Sequence, residues 1–290
     1  MYKFGNRTYD LSSRTFIMGI LNITPDSFSD GGKYFNGIPD TDKAAADALQ
    51  MIKDGADFID IGGESTRPGS ESITADEELC RIIPVIKAVS KATDIPISVD
   101  TYKSEVAEEA LKEGACIVND ISGFTFDKKL PSVTAKYNAS CILMHIKGTP
   151  KNMQKDPVYS DVTKEVINFL QSSVKSAFDS GINQIILDPG IGFGKSLDNN
   201  MTLIRELHKI KILGYPVLLG TSRKSFIDKI FASPSEERLE GTIASNVIGI
   251  MNGADILRVH DVKENYKAAV IADRILNRKS ELKNISNEQQ

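Results

Sequence analysis

The sequence predicts an α/β protein that folds as a single (β/α)8 TIM barrel, with long mobile loops after its first and second barrel strands. Eight short apolar runs rich in β-branched residues recur along the 290 residues, and stretches with helical spacing of apolar positions separate them. Strands that are apolar on both faces and alternate with helices are typical of parallel sheets, and eight such units complete a closed barrel. An open doubly wound sheet is the alternative that the same alternation allows.

Five of the predicted strands follow a glycine that is expected to end the preceding helix. These five runs lie at residues 55–61, 114–119, 181–188, 214–220 and 253–259. Three further runs lack the glycine and cover residues 16–23, 97–100 and 140–145. A short extra strand or hairpin is expected at residues 2–9, before the barrel begins.

Helix starts are marked by residues that cap the first turn. Asp161 is expected to cap a helix that ends at Gly181. The four residues from Thr74 have the spacing of a capping box, and the helix that they open should be kinked or broken at Pro84. Helices are also predicted over residues 43–53 and 104–111.

Composition indicates an ordinary globular chain without nucleic acid or membrane partners. A hydrophobic fraction of 41% supplies a full-sized core, and a net charge of −4 gives no general attraction for phosphate backbones. No apolar run reaches the ~18 residues of a membrane span, and no signal-peptide core follows Met1, so a cytoplasmic location is expected. We expect one domain over residues 1–278 and a polar C-terminal tail over residues 279–290.

Two kinds of short motif are excluded by their spacing. Cys80, Cys116 and Cys141 are too far apart for a zinc cluster and are interpreted as core thiols of a reducing compartment. The glycine-rich segment 188–196 has Pro189 where a P-loop needs glycine, and Lys195 where the dinucleotide fingerprint needs its third glycine. We interpret this segment as a loop held close to a ligand.

Polar residues stand at the carboxyl ends of the predicted strands, which form the active face of a barrel. Any one of these residues could instead have a purely structural role: Asp100 could cap a helix, Asn119 could make a turn, and Arg258 could pair with Asp261. The strand-end positions are Asn22, 64–67, Asp100, Asn119, 144–145, Asp188, 222–224 and 258–260.

These strand-end residues predict a site with two unlike ends. Acceptors at Asp100, Asn119 and Asp188 suit the N–H edge of a polar heterocycle, and Lys224 supplies donors to the same ring. Cations and hydroxyls suit an anionic group such as phosphate, and these are Thr66, Arg67, Ser222, Arg258 and His260. The loops 24–33 and 64–69 emerge on the same face and are expected to cover it.

Eight segments, in order from residue 17 to residue 262, resemble the dihydropteroate synthase family. The loops TPDSFSDGG (24–32) and GESTRPG (63–69) are highly specific for that family. The segments are IMGILNITPDSFSDGG (17–32), IDIGGESTRPG (59–69), ISVDT (97–101), IVNDISG (117–123), LMHIKGTPKNMQ (143–154), ILDPGIGFGK (186–195), GTSRKSF (220–226) and RVHDV (258–262).

The resemblance implies a transferase of tetrahydrofolate biosynthesis that sulfonamides target. Its reaction is the Mg²⁺-dependent condensation of 6-hydroxymethyl-7,8-dihydropterin diphosphate with 4-aminobenzoate, which gives 7,8-dihydropteroate and diphosphate. We expect a dissociative substitution in which Asp100 stabilises the methylene cation electrostatically. The family resemblance also suggests a homodimer that associates through outer helices.

The resemblance also assigns residues to each part of the site. The expected pterin-binding residues are Asp100, Asn119, Ile121, Met144, Asp188, Phe193 and Lys224. The expected diphosphate-binding residues are Asn22, Thr66, Arg258 and His260, and Asn22 is also the expected Mg²⁺ ligand. The expected aminobenzoate-binding residues are Phe28, Arg67, Pro68 and Ser222. The expected catalytic residues are Asp100, Arg67, Asp30, Lys224, Arg258 and His260, with Asp30 and Arg67 as a pair in the closed loops.

Two other functions share the pterin pocket. A pterin-binding barrel that carries methyl groups to a corrinoid protein would lack the two aminobenzoate loops, and both are present here. The cobalamin motif D-x-H-x-x-G is also missing, because Leu143 stands two residues before His145 where the aspartate should be. A non-catalytic pterin binder would show altered loops, and none of the site positions is altered.

Overall fold

The computed structural model describes residues 1–25, 34 and 37–278. It confirms the predicted barrel of eight parallel strands, preceded by an antiparallel hairpin. The hairpin consists of β1 (Tyr2–Phe4) and β2 (Arg7–Tyr9). The barrel strands are β3 (Phe16–Asn22), β4 (Phe58–Gly62), β5 (Ile97–Asp100), β6 (Ile117–Asp120), β7 (Ser140–Met144), β8 (Ile185–Asp188), β9 (Leu218–Leu219) and β10 (Ile256–Val259).

Ten helices of the described chain surround the barrel. They are α1 (Thr41–Lys53), α2 (Ala75–Ala92), α3 (Ser104–Lys112), α4 (Leu130–Lys136), α5 (Val162–Asp179), α6 (Leu197–Arg205), α7 (Leu207–Lys211), α8 (Ser225–Phe231), α9 (Leu239–Met251) and α10 (Val262–Ile275). Within the described ranges, none of these helices is both long and apolar enough to cross a membrane.

Neighbouring strands pair in parallel from β8 through β3 to β10 and β9. The two ends of this sheet meet at a bridge between Leu187 and Val217, where the Leu187 N–H donates to the carbonyl of Pro216 at 2.9 Å. The contact closes the barrel, which excludes the open doubly wound sheet.

Alternate residues of each barrel strand point inward, and their first layer is apolar. This layer packs with Phe4 of the hairpin, which lies under the amino-terminal end of the barrel as one buried cluster. Residues of opposite parity pack against the helices in a second, larger cluster. The inner layer comprises Phe16, Met18, Phe58, Ile117, Ile142, Ile186, Leu218 and Ile256.

The predicted caps are confirmed, but Pro84 does not break its helix. Asp161 accepts a hydrogen bond from the Lys164 N–H at 3.0 Å, and Thr74 accepts one from the Glu77 N–H at 3.2 Å. Helix α2 continues through Pro84 to Ala92. Proline removes one backbone hydrogen bond, and the buried apolar face of α2 against the barrel compensates for that loss.

The interpretation of all three cysteines as core thiols is wrong for Cys80. Cys141 is buried in β7 and Cys116 is half-buried, whereas Cys80 is exposed. Cys80 lies on the solvent side of α2, opposite the buried positions Ile82, Val85 and their neighbours. Its exposure could not be inferred from the spacing of the cysteines.

Candidate active site

The inward positions change from apolar to polar two residues further along several strands. Phe58 is followed by Asp60, Ile117 by Asn119, Ile186 by Asp188, and Ile256 by Arg258. Because the side-chain period of a strand is two, each pair shares the inner face of the barrel. Asp100 pairs with Asn119 in the β5–β6 register and with Gly62 in the β4–β5 register. Strand pairing therefore assembles the polar ring that was predicted from separate strand ends.

Arg258 is held between two carboxylates at the centre of this ring. Its Nε donates to Asp60 Oδ2 at 2.6 Å, and its Nη2 donates to Asp100 Oδ2 at 2.7 Å. Burial opposes the charge, but the two carboxylates raise the pKa of the Arg258 guanidinium above its usual value. The alternative pairing of Arg258 with Asp261 is wrong, since Asp261 pairs with Arg223 at 2.5 Å.

Asp100 neither caps a helix nor lies in solvent. The helix that follows it, α3, begins after Lys103 without a side-chain cap. Burial raises the pKa of Asp100 to about 7, and the adjacent carboxylate of Asp60 acts in the same direction, whereas Arg258 opposes the shift. Asp100 can therefore change its charge near neutral pH.

The end of the site that is expected to bind the heterocyclic ring, called the ring end below, combines an acid, a base and an apolar wall. Asp188 accepts a hydrogen bond from the Gly190 N–H at 2.7 Å. The Lys224 ammonium lies 4.3 Å from the centroid of the Phe193 ring and donates to the carbonyl of Ile191. Burial lowers the pKa of Lys224 to about 8, against the opposing effect of Asp188.

The expected apolar contacts to the ring form one cluster beside these polar groups. Three residues that the resemblance assigned to pterin binding, Ile121, Met144 and Phe193, belong to it. Its other members are Ile146, Met153 and Tyr102. The cluster offers a flat ring an apolar surface, while Asp188 and Lys224 offer polar groups at its edge.

His260 and Ser222 hold each other at the anion end. The Ser222 hydroxyl oxygen accepts from the His260 backbone N–H at 3.2 Å and lies 3.0 Å from its ring Nδ1. Burial and the cations Arg223 and Arg258 lower the pKa of His260 well below its usual value, so the ring is neutral. The serine hydroxyl then donates to Nδ1, and the ring proton resides on Nε2.

The remaining predicted residues that the structure describes lie at the same end of the barrel, at the end of β3 and between β4 and α2. Asn22 ends β3, pairs with Gly62 in the β3–β4 register and is half-buried. Thr66 and Arg67 are half-buried, and Pro68 is exposed, in the segment between β4 and α2. The charge of Arg67 is one of those that depress the pKa of His260. Phe28, Asp30 and the Asp30–Arg67 pair lie outside the described residues.

Asp60 was missed because it lies inside a strand and not at its end. Its carboxylate is fully buried and contacts both Arg258 and Asn119. The signal was present in the sequence: an aspartate two residues after Phe58 in an otherwise apolar strand must face the same interior.

Lys195 was also missed, since in the sequence it was considered only as the residue that stands where the dinucleotide fingerprint needs its third glycine. It is 1% exposed, and its ammonium lies 2.9 Å from His145 Nδ1. It donates to the carbonyls of Gly190 at 2.8 Å and Phe193 at 2.9 Å. Lys195 therefore ties together the loop that carries the apolar wall.

Lys103 and Glu78 were also missed, and together with Glu64, one of the predicted strand-end residues, they support the base of the loop that carries Arg67. The Lys103 ammonium pairs with Glu64 and, at 2.5 Å, with Glu78. Glu64 also accepts a hydrogen bond from the Tyr102 hydroxyl at 2.7 Å. Glu64 stands three residues before Arg67, so this network fixes one end of the loop.

The described residues form no all-protein metal site. No group of three or more His, Cys, Asp or Glu side chains within them could hold an ion. Asn22 offers a single neutral oxygen, which suits Mg²⁺ only when phosphate oxygens and water complete the coordination. A cavity of about 510 Å³ between α1 and α10 reaches His260 from outside the barrel, but the described residues that line it include none of the residues expected to bind the heterocycle, so it is separate from that end of the site.

Comparisons with known proteins agree with this geometry. The sequence matches the Pterin binding enzyme family over residues 18–260. A dihydropteroate synthase of Clostridium beijerinckii is 50% identical over 279 residues, which cover 95% of this chain and 100% of that protein. The structure of Yersinia pestis dihydropteroate synthase with a sulfonamide drug complex superposes with a TM-score of 0.91 and 41% identity, over 95% of this chain and 99% of that one. The Clostridium difficile dihydropteroate synthase, crystallised in the presence of pteroic acid, gives a TM-score of 0.84 and 48% identity, over 96% of this chain and 100% of that one.

Proposed function

Because the chain belongs to the dihydropteroate synthases, a family of pterin-binding enzymes, we propose the role that each site residue takes in their reaction. The enzyme is a transferase of folate synthesis. It joins a dihydropterin, activated as its diphosphate, to 4-aminobenzoate. The observation that carries the assignment of roles is the placement of Arg258 between two buried carboxylates, beside the ring acceptors Asn119 and Asp188.

The pterin ring binds at the end of the site that holds the acceptors. Asp100, Asn119 and Asp188 accept hydrogen bonds from ring N–H groups, and Lys224 donates to a ring oxygen or nitrogen. Ile121, Met144 and Phe193 contact the faces of the ring. Crystallisation of the Clostridium difficile enzyme in the presence of pteroic acid supports this arrangement, because pteroic acid contains both the pterin and the aminobenzoate moieties.

The diphosphate binds at the opposite end, against Thr66, Arg258 and His260. Arg258 has five N–H donors, and its contacts with Asp60 and Asp100 leave donors that can meet phosphate oxygens. Neutral His260 donates from Nε2. The negative charge of the arriving diphosphate raises the pKa of the ring and so acts against this depression.

The reaction is a dissociative substitution at the methylene carbon. The C–O bond to diphosphate breaks, and its electron pair leaves with the diphosphate, which Arg258 and His260 stabilise. The dihydropterin ring delocalises the cation that remains, and ionised Asp100 stabilises it electrostatically. The amino nitrogen of 4-aminobenzoate then forms the new C–N bond and loses a proton. The arylamine is already nucleophilic, so no strong general base is required.

The aminobenzoate binds between Ser222 and the loop that carries Arg67 and Pro68. Arg67 offers a guanidinium for the carboxylate and, together with Asp30 and Phe28 of the first loop, closes the site against water. The sulfonamide drug complex of the Yersinia pestis enzyme supports a site of this kind, and we propose that sulfonamides bind this chain in place of aminobenzoate.

We propose Mg²⁺ as the cofactor of the reaction. The amide oxygen of Asn22 would hold it together with oxygens of the diphosphate and water, because a lone neutral oxygen needs phosphate and water to complete the coordination of Mg²⁺. When bound, it would offset the negative charge of the leaving diphosphate.

We propose that the chain forms a homodimer through the outer faces of α8, α9 and α10. Large apolar side chains on these helices are at least half exposed: Ile230, Phe231, Ile248, Met251, Ile271 and Ile275. We propose that these side chains form one apolar patch, because helices α9 and α10 pack against each other. A second copy would bury this patch. Ile271→Lys should give a monomer in analytical ultracentrifugation, whereas Phe178→Lys, equally exposed on α5, should leave the dimer intact.

We further propose that residues 1–278 act as one domain and that the enzyme works in the cytoplasm. The continuous barrel, which uses strands from both ends of the chain, supports the first proposal.

One experiment tests the proposed function directly. The purified protein is incubated with 6-hydroxymethyl-7,8-dihydropterin diphosphate, labelled 4-aminobenzoate and Mg²⁺, and labelled dihydropteroate is measured by chromatography. We expect product that requires all three components. No product would leave a pterin-binding module as the function, and product formation without Mg²⁺ would exclude the proposed cofactor.

A further inference from the structure

Asp60 lies one inward position below the mouth of the barrel and makes two contacts there. Its side chain is 0% exposed. Oδ2 accepts a hydrogen bond from Arg258 Nε at 2.6 Å, and the amide nitrogen of Asn119 lies 3.1 Å from Oδ2 and 3.3 Å from Oδ1. One buried carboxylate therefore contacts both Asn119, at the ring end of the site, and Arg258, at the anion end.

The contact with Asp60 fixes which way the amide of Asn119 points. A carboxylate paired with an arginine accepts hydrogen bonds and donates none. The Asn119 nitrogen must therefore face Asp60, and its oxygen must face the other way. Reversing the amide would set an oxygen against a buried carboxylate and remove a charge-assisted hydrogen bond. That bond corresponds to a factor of about 10 to 150 in the equilibrium between the two orientations.

From this geometry we infer that Asp60 is a positioning residue that sets the specificity of the ring end, by holding the Asn119 oxygen toward the ligand. The inference rests on the proposed binding of the pterin ring by Asn119. With the amide so fixed, the site presents only acceptors at Asn119 and Asp188, and it selects a 2-amino heterocycle whose edge carries N–H donors. An analogue without those donors leaves buried acceptors unpaired.

The test compares two ligands that lack the diphosphate, so that the binding of phosphate by Arg258 does not enter the comparison. The dissociation constants of 6-hydroxymethylpterin and of its 2-desamino analogue are measured by calorimetry on the full chain. The wild-type protein should prefer the 2-amino compound. In Asp60→Asn the neighbouring amide can donate or accept, so Asn119 can reverse, and the preference should fall by about tenfold or more.

Asp57→Asn is the matched control. Asp57 is in the same strand-helix unit, is 2% exposed and pairs with Arg14 at 2.8 Å, but it lies at the opposite end of the barrel. It should lower the melting temperature without changing the ratio of the two dissociation constants. Asn119→Ala should lower the preference at least as much as Asp60→Asn does, with Asp188 left to select for the amino group. Adding Asp60→Asn to Asn119→Ala should change the ratio no further, since both substitutions act through one amide.

The outcomes separate this inference from the proposed function. No binding of 6-hydroxymethylpterin to the wild type would overturn the proposed function. Binding with an unchanged ratio in folded Asp60→Asn would overturn only the role of Asp60. If Asp60→Asn does not fold, the Asn119 side-chain amide is followed by NMR in the wild type, assigned by its loss in Asn119→Ala. Slow exchange of one of its protons supports the bond to Asp60, and fast exchange of both overturns it.

Discussion

Lys103→Met should destabilise the fold strongly, because Lys103 is the cation between two buried carboxylates. Its ammonium pairs with Glu64 and Glu78, whose side chains are 6% and 1% exposed. Removing one partner of a buried ion pair costs ~3–5 kcal/mol, since the remaining charge loses its counter-ion and stays shielded from water. Lys103 itself is 16% exposed, so some solvent reaches the pair, and we expect the lower end, about 3 kcal/mol.

Thermal unfolding followed by circular dichroism measures this loss. A change of 1 kcal/mol moves the melting temperature of a large domain by ~2–4 °C, so the variant should melt ~6–12 °C below the wild type. Lys112→Met is the control, because Lys112 and its partner Glu109 are 45% and 46% exposed. Exposed pairs contribute little, and this control should melt close to the wild type.

The pH dependence of the stability lost in Lys103→Met identifies the cause of that loss. Burial raises the pKa of the Glu78 carboxyl above its usual value, and Lys103 opposes that shift. Without Lys103 the folded pKa rises further. A carboxyl group with a raised folded pKa favours folding below its unfolded pKa and loses that contribution as the pH rises through the folded pKa. The deficit of Lys103→Met should therefore be smaller at pH 5 than at pH 8. Equal deficits at both pH values, or a melting temperature like that of Lys112→Met, would refute the reasoning.

Three further predictions concern the site. Asp188→Ala should weaken the binding of 6-hydroxymethylpterin by a free energy of ~1–3 kcal/mol, because ring donors lose their acceptor, and an unchanged affinity by calorimetry would contradict this role. Burial raises the pKa of Asp100 to about 7, so kcat/KM should fall as the pH drops below about 7 while Asp100 takes up a proton; the same profile in Asp100→Asn would assign the titration to another group. Arg67→Ala should lower turnover and raise the KM for 4-aminobenzoate with an unchanged melting curve, and a lower melting temperature would instead indicate a structural role.

Much of this fold could be predicted from local patterns in the sequence. All eight predicted barrel strands overlap observed ones, because glycine stops and apolar runs are properties of neighbouring residues. The caps at Thr74 and Asp161 were predicted for the same reason. Pro84 does not break α2, because its local cost is outweighed by packing of the whole helix against the barrel, which no local pattern contains.

The candidate site, like the fold, could be predicted only in part. Which residues carry the chemistry could be predicted, since strand ends meet at one face of a barrel. Which of these residues contact each other could not be predicted. Arg258 contacts Asp60 and Asp100, which lie 198 and 158 residues away along the chain, and the nearby Asp261 pairs with Arg223 instead.

The sequence by itself determined the fold class, the family and the residue types at the active face, because these depend on periodicity and on local motifs. The tertiary structure alone decided the pairing of Asp60 with Arg258 and Asn119, the burial of Lys195 and the exposure of Cys80. The physical reason is that a buried charge takes whichever partner barrel closure brings within hydrogen-bonding distance, and that distance is independent of separation along the chain.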